Sequence, residues 1–427
     1  MEIASLYKLY INSGKVSTDT RKITNGSLFF TLKGENFDGN KFALDALDKG
    51  ANYVIADDPQ LEGKHPNIII TKNALTTLQE LANYHRKQLK AKVIAITGSN
   101  GKTTTKELVH AVLSSQYKTI ATPGNFNNHI GLPLTILQTP ADTEILILEM
   151  GDNNMGEIAA LCQIATPDTG LITNIGKDHL EGFGSFENNL RAKSELFDYL
   201  LKTDGIAFIN SNDTILKNMS KRFAKPIMYG QKDDFSYLEK ESEQSFVGFN
   251  IDGKSYNTAL FGDFNFANIG AAFCIGRFYK VPDMSIAQAI SAYQPENNRS
   301  QIKNTEHNTI LLDAYNANPS SVSAVLQSFA TLHTSLTKLA ILGDMLELGT
   351  TSKEEHANMI ALAKQLQIQT YFCGPLFFEH RQGNNLLKFF KSKIELVEHL
   401  NNDSLEKHYI LLKGSRGMQL ETLLNCL

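Results

Sequence analysis

The sequence predicts an α/β protein of three domains, with a mostly parallel sheet at its centre. Three observations predict it. Short apolar runs of strand length recur along the chain, helix-length segments alternate with them, and two polar junctions divide the 427 residues into blocks. The blocks are taken as residues 1–88, 89–297 and 298–427.

In the first block, residues 27–32 and 67–71 have strand character, separated by Gly and Asp turns, and the Leu- and Ala-rich stretch 73–88 reads as a helix. The polar stretch 86–92 reads as a hinge. The second block opens with Val93-Ile94-Ala95-Ile96-Thr97, a buried-strand pattern, followed by a Gly-containing turn and a helix over about 103–115. Apolar runs at 144–148 and 169–173 each lead into a polar loop. The third block carries strand patterns at 309–313, 338–342 and 409–413 with helical stretches between them, an arrangement with dinucleotide-fold character. A second hinge is expected near 295–299.

Composition narrows the function. Apolar residues make up 42% and charged residues 20%, the balance of a globular protein with a sizeable core. A net charge of −4 argues against a general nucleic-acid binder, which needs a basic excess. Cys162, Cys274, Cys373 and Cys426 form no CxxC pair, so neither a disulfide framework nor a zinc site is expected, and a reducing compartment fits. Residues 1–10 lack a basic n-region and a long apolar core, and no apolar run reaches the roughly 18 residues of a membrane span. The expectation is a cytoplasmic monomer with no membrane span and no nucleic-acid partner.

The strongest local signal is Thr97-Gly98-Ser99-Asn100-Gly101-Lys102-Thr103-Thr104, between a strand and a helix. Glycines let backbone N–H groups approach phosphate oxygens, and the helix N-terminus favours negative charge. Lys102 would reach the terminal phosphates and the Thr103 hydroxyl would ligate Mg²⁺. The loop is GxxGKT rather than the longer GxxxxGK[ST], because Ile96 stands where the first Gly would be.

Three further residues draw attention. Glu149 ends an apolar run, where a carboxylate beside a phosphate loop suits a metal; it equally suits an ordinary strand end. His179, in Gly176-Lys177-Asp178-His179-Leu180-Glu181-Gly182, is on its residues alone a structural loop histidine. Lys193, in Arg191-Ala192-Lys193-Ser194-Glu195-Leu196-Phe197, is on its residues alone a surface lysine of a helix.

Taken together, the short loop, Glu149, His179 and Ala192-Lys193-Ser194-Glu195-Leu196-Phe197 resemble the Mur ligase family. More segments carry the resemblance: Gly262-Asp263-Phe264-Asn265-Phe266-Ala267-Asn268, Asn297-Asn298-Arg299-Ser300, Asp313-Ala314-Tyr315-Asn316-Ala317-Asn318-Pro319 and Leu342-Gly343-Asp344-Met345-Leu346-Glu347-Leu348-Gly349. These lie in the family's order over nearly the whole chain. The resemblance implies a UDP-binding N-terminal α/β domain, a central phosphate-loop domain and a Rossmann-like C-terminal domain closing over ATP. It implies ATP contacts from Asn268, Arg299, Asp313, Tyr315 and Asn316 besides the loop, and two Mg²⁺ beside Thr103, Glu149 and His179. It also implies that Lys193 is carbamylated by CO₂, turning a cation into a carboxylate mimic next to Mg²⁺. Lys102, Lys193 and His179 would be the catalytic group.

In the first block, Ser17-Thr18-Asp19-Thr20-Arg21 and Gly26-Ser27-Leu28-Phe29-Phe30-Thr31-Leu32-Lys33-Gly34 resemble the UDP-binding domain of the ligases of the third and fourth additions. Folylpolyglutamate synthases share the ATP core but lack this domain. Thr18, Asp19, Thr20, Arg21, Lys33 and Gly34 would then bind the UDP-linked substrate, with Asn125, Asn127 and Asn128 from Gly124-Asn125-Phe126-Asn127-Asn128-His129. The last segment resembles the substrate loop of the members that add D-Ala-D-Ala. No Asp-Asn-Pro-Arg box for diaminopimelate occurs. In Lys413-Gly414-Ser415-Arg416-Gly417, Lys413 and Arg416 would meet the dipeptide carboxylate; alternatively they form a solvated turn. The activity implied is ATP-dependent addition of D-Ala-D-Ala to a UDP-N-acetylmuramoyl-tripeptide through an acyl phosphate. A sibling ligase adding lysine or diaminopimelate, a phosphate-loop ATPase or kinase, and an inactive UDP-sugar-binding regulator are the alternatives.

Overall fold

The computed structural model describes residues 1–427 except 179, 242–244 and 404. Among the described residues, the first sheet runs Val16–Ser17, Leu28–Phe30, Tyr53–Ala56, Ile68–Ile70, all parallel. Its strands are short because Gly- and Asp-rich turns interrupt them. The helix Ala74–Gln88 follows, with the Asn73 side chain accepting from Thr76 N as N-cap.

The central sheet has the order Ile227–Tyr229, Ile206–Asn210, Thr169–Ile172, Lys92–Thr97, Ile145–Glu149, Thr119–Ala121, again all parallel. The middle strands read as unbroken apolar runs because both faces are covered. One face packs under helices Gly131–Leu137, Glu157–Ala165 and Phe186–Lys202. The other packs under Lys102–Ser114, Asn265–Phe278 and Asp283–Ala292.

The C-terminal sheet has the order Gln301–Asn304, Thr309–Asp313, His408–Lys413, Thr337–Gly343, Gln369–Cys373, Leu387–Phe390. Its first strand is antiparallel and the rest are parallel. Helices Pro319–Thr331 and Ser352–Gln365 cover one face, and Lys393–Asn402 with the 3-10 segment Leu420–Cys426 the other.

Two features differ from the sequence reading. The polar stretch 86–92 is not a loose hinge. Arg86 is buried, its Nε donates to Ala165 O at 3.0 Å and its Nη2 to Asp168 Oδ2 at 3.1 Å. Leu89 and Ala91 are buried too, in an apolar core that runs unbroken from Leu6 and Leu81 to Val93 and Leu132. The N-terminal unit is therefore welded to the central sheet by apolar contact. The second feature is an antiparallel hairpin, Phe246–Ile251 with Lys254–Phe261, turned at Asp252-Gly253, where φ is 49° and 78°. Positive φ at both central residues is what an Asp-Gly hairpin turn requires.

Candidate active site

The phosphate loop follows the strand Lys92–Thr97, and the helix Lys102–Ser114 starts from Gly101. Two glycines there are demanded by geometry. Gly98 has φ 138° and a Cβ would lie 2.1 Å from Thr173 Oγ1; Gly101 has φ 79° and a Cβ would lie 2.6 Å from Asn268 Oδ1. The loop is laced to residues 173–178, which follow the neighbouring strand Thr169–Ile172. Ser99 N donates to Asn174 O at 3.0 Å, Asn100 N to Asn174 Oδ1 at 3.1 Å, and Thr173 Oγ1 to Asn100 O at 2.6 Å. The Ser99 hydroxyl donates to Asp178 Oδ1 and accepts from Gly176 N.

Lys102 lies under the loop, its ammonium donating to the carbonyls of Gly98 and Ser99. Burial, then the charge of Lys193, pushes its pKa down; Asp178, Asp152 and Glu149 act against that.

Lys193 is not the surface lysine that its residues alone suggest. Its side chain is 0% exposed, with Nζ 2.9 Å from Asp152 Oδ1 and 3.4 Å from Asp178 Oδ2, and 5.2 Å from the Phe183 ring centroid. The helix Phe186–Lys202 turns that face inward. Asp152 and Asp178 line the cavity and Lys193 stands behind them. Neither aspartate was singled out from sequence. The available signal was an acid shortly after a strand end, at Gly151-Asp152 and Lys177-Asp178. Burial alone would raise the Asp178 pKa, but Lys193, Lys102 and hydrogen bonds from Ser99 and Asn189 hold it below the ordinary carboxylate value.

Glu149 is 1% exposed. Its Oε1 accepts from Asn127 Nδ2 at 2.8 Å and its backbone N donates to Thr122 Oγ1 at 3.0 Å. Its Oε2 and the Oδ2 of Asp152 are buried with no hydrogen-bond partner. Orphaned carboxylate oxygens beside Thr103 at the cavity wall are a donor set of the kind Mg²⁺ takes. Among the described residues, no group of three or more His, Cys, Asp or Glu is placed to hold a metal unaided. His179 lies outside the described residues.

Across the cavity stands the C-terminal sheet. Asp313 Oδ2 accepts from Lys413 Nζ at 2.7 Å, and its Oδ1 from Ser300 N at 3.0 Å. Lys413 also donates to Asn316 O at 3.1 Å. Lys413 is thus buried and held by Asp313, not part of a solvated turn, whereas Arg416 is exposed. Asn268 Nδ2 donates to Asn265 Oδ1 and its Oδ1 accepts from Thr105 Oγ1, so its amide ties the first turn of the helix Lys102–Ser114 to the helix Asn265–Phe278.

These groups surround one cavity of about 700 Å³. Residues 99–104, Asn127, Asn128, Glu149, Asn268, Arg299, Asp313, Tyr315, Asn316, Lys413 and Arg416 line it. The carboxyl ends of the central and C-terminal sheets open on it from opposite sides, the usual place for a ligand in such sheets. Asn125 and the first-block candidates do not line it. Thr18, Asp19, Thr20 and Arg21 follow Val16–Ser17, and Lys33 and Gly34 follow Leu28–Phe30, so both groups leave the same edge of the first sheet. There Asp19 pairs with Arg21 at 2.8 Å and Lys33 with Asp57 at 3.0 Å.

Fold and site define a phosphate-loop protein with a facing nucleotide-fold domain. The Mur ligase middle domain matches residues 96–276, the Mur ligase glutamate ligase domain 298–416, and the Mur ligase catalytic domain 14–96. The chain belongs to the Mur ligase family. It is 36% identical to the UDP-N-acetylmuramoyl-tripeptide--D-alanyl-D-alanine ligase of Bacillus subtilis, over 95% of this chain and 91% of that one. MurF from Acinetobacter baumannii superposes with a TM-score of 0.87 at 28% identity, covering 96% of this chain and 92% of that chain. MurF ligase from Thermotoga maritima in complex with ADP gives 0.85 at 26% identity, covering 98% and 97%. The fold is the three-domain α/β fold of these ligases. Among the described residues no helix is long and apolar enough to cross a membrane.

Proposed function

We propose that this protein joins D-alanyl-D-alanine to the terminal carboxyl group of a UDP-N-acetylmuramoyl-tripeptide, with ATP as the energy source, in peptidoglycan synthesis. The observation that carries this reading is the shared cavity lined by the phosphate loop, the orphaned carboxylates, Arg299 and Arg416. The relatives' names supply the substrates.

In the proposed reaction a carboxylate oxygen of the tripeptide attacks the γ-phosphorus of ATP, the bond to ADP breaks, and an acyl phosphate forms. The dipeptide amine, having lost a proton, then attacks the acyl carbon and phosphate leaves. Positioning and cations do most of the work in phosphoryl transfer. Lys102 and the amides of Gly98 to Thr104 take the phosphates, and Arg299 reaches them from the opposite wall. Asp313, Asn316 and Asn268 surround the nucleoside. Arg416 takes the dipeptide carboxylate, with Lys413 held behind it by Asp313. Asn127 and Asn128 lie where the UDP-linked peptide enters, and the first-sheet edge of Thr18, Asp19, Thr20, Arg21, Lys33 and Gly34 takes its UDP. We assign the substrate and closing domains to residues 1–88 and 298–427, around a core of 89–297.

Two Mg²⁺ would be held by Thr103, Glu149 and Asp152, with His179, and would neutralise charge on the phosphoryl oxygens when bound. A carbamate on Lys193 would add a negative ligand. The surroundings of Lys193 fit an ammonium, since Asp152 and Asp178 flank it. A carbamate fits once divalent cations neutralise those two carboxylates, so we expect carbamylation to depend on Mg²⁺.

Purified protein assayed for ADP release against UDP-muramoyl tripeptides and a set of amines should respond to D-alanyl-D-alanine and form a new amide bond. Turnover with lysine or diaminopimelate instead, or ADP formed without an amine, would overturn the reading.

A further inference from the structure

Arg299 and Arg416 come from opposite ends of the C-terminal unit, and one side chain touches both. The Arg299 guanidinium carbon lies 3.7 Å from the Tyr315 ring centroid. The Arg416 guanidinium carbon lies 5.4 Å from the same centroid, and its Nη1 is 3.5 Å from the Tyr315 hydroxyl. All three side chains line the cavity.

The backbone around Arg299 is fixed in an unusual shape. Asn297, Asn298 and Ser300 have φ of 57°, 57° and 49°, a conformation that side chains other than Gly adopt at a cost. Asp313, two residues before Tyr315, holds that shape by accepting from Ser300 N. The Nε of Arg299 is buried with no hydrogen-bond partner. Ring stacking is therefore what orients this guanidinium among the described contacts, and stacking leaves the in-plane N–H groups free for an anion.

We infer that Tyr315 is a positioning residue for two arginines: its ring sets Arg299 for the ATP phosphates, and its hydroxyl sets Arg416 for the dipeptide carboxylate. This rests on the roles proposed above for the two arginines. It assigns Tyr315 a different task from lining the nucleotide, and it places one residue between the sites of two substrates.

The two halves of the assignment separate by substitution. Tyr315→Phe keeps the ring and removes the hydroxyl. Tyr315→Leu removes both. Initial rates of amide formation are measured with ATP varied at saturating D-alanyl-D-alanine, and the reverse, for these variants, Arg299→Ala and Arg416→Ala. Thermal melts check folding. Tyr315→Phe should raise KM for the dipeptide about 3-fold or more and leave KM for ATP within about 2-fold. Tyr315→Leu should raise both, the ATP value by about 3- to 30-fold. If Arg299→Ala raises KM for ATP while Tyr315→Leu does not, the inference is wrong and the role of Arg299 stands. If Arg299→Ala leaves KM for ATP at the wild-type value, the underlying role of Arg299 fails and takes the ring half with it. Arg416→Ala judges the hydroxyl half in the same way. Should Tyr315→Leu not fold, Tyr315→Phe still decides: equal rises in both KM values would overturn the division of labour.

Discussion

Asn318 and Asn100, 218 residues apart, are joined side chain to side chain, Nδ2 of Asn318 donating to Oδ1 of Asn100 at 2.9 Å. Asn100 is in the phosphate loop. Asn318 is the N-cap of the helix Pro319–Thr331, accepting from Ser321 N at 2.8 Å. Nearby, Lys177 pairs with Glu355 at 2.7 Å and its backbone N donates to Ser320 Oγ at 3.3 Å. The C-terminal unit thus docks directly on the phosphate loop.

Substitution should divide the two tasks of Asn318. Asn318→Ala removes the cap and the docking bond, and should cost about 1 kcal/mol of stability as well as raising KM for ATP. Asn318→Ser keeps a capping oxygen but is too short to reach Asn100. It should melt close to wild type and still show the raised KM. A normal KM for Asn318→Ser would mean that the docking bond contributes nothing to nucleotide binding.

Lys102→Ala should leave the fold intact, because the ammonium bonds only loop carbonyls among the described contacts. Amide formation should fall by about 100-fold or more through loss of a cation at the phosphates. Retained turnover in a rapid-quench assay would remove Lys102 from the mechanism.

Lys193→Ala strands two buried carboxylates, Asp152 and Asp178. Breaking a buried pair in this way typically costs about 3–5 kcal/mol, and activity should collapse with it. The pH dependence has a definite sign. The Asp178 pKa is held below its ordinary value of 3.8 in the folded protein. Its contribution to stability is therefore present above that ordinary value and is lost as pH falls through the lower, folded value. Removing Lys193 takes away the main attraction and leaves the burial penalty. Thermal melts of Lys193→Ala should accordingly lie furthest below wild type near neutral pH and converge on it at acid pH, where protonation relieves the stranded carboxylate and removes the wild-type advantage. A deficit that stays the same on acidification would rule out the ion pair.

Lys106 is a fully buried charge on the helix that follows the phosphate loop. Its Nζ donates to Thr122 O at 2.5 Å and pairs with Glu107 at 2.8 Å. Thr122 in turn receives Glu149 N through its hydroxyl. Lys106→Met should cost about 1–3 kcal/mol by leaving the Thr122 carbonyl unpaired. It should also shift the Mg²⁺ concentration needed for half-maximal rate upward, because Glu149 loses its support. An unchanged Mg²⁺ titration would make Lys106 a purely structural residue.

The parts of this site that were legible are those encoded over a few neighbouring residues. Val93 to Thr104 reads as strand, loop and helix because apolar alternation, two glycines and a helix start all lie within one short segment. The hairpin at Asp252-Gly253 carried an equally local signal, which was not picked out among its polar neighbours. Burial of Lys193 was not legible. The residues around it suit an exposed helix, and its partners Asp152 and Asp178 lie on loops after two different strands.

By itself the sequence determined the α/β class, the succession of elements, the GxxGKT loop and the acid at Glu149, since backbone preference and side-chain periodicity act locally. Tertiary structure alone decided which charges meet: Lys193 with Asp152 and Asp178, Lys413 with Asp313, Asn100 with Asn318, and both arginines with Tyr315. The order of strands in the parallel sheets brings distant loops to a common edge, and only there does burial turn a polar residue's partner into a necessity.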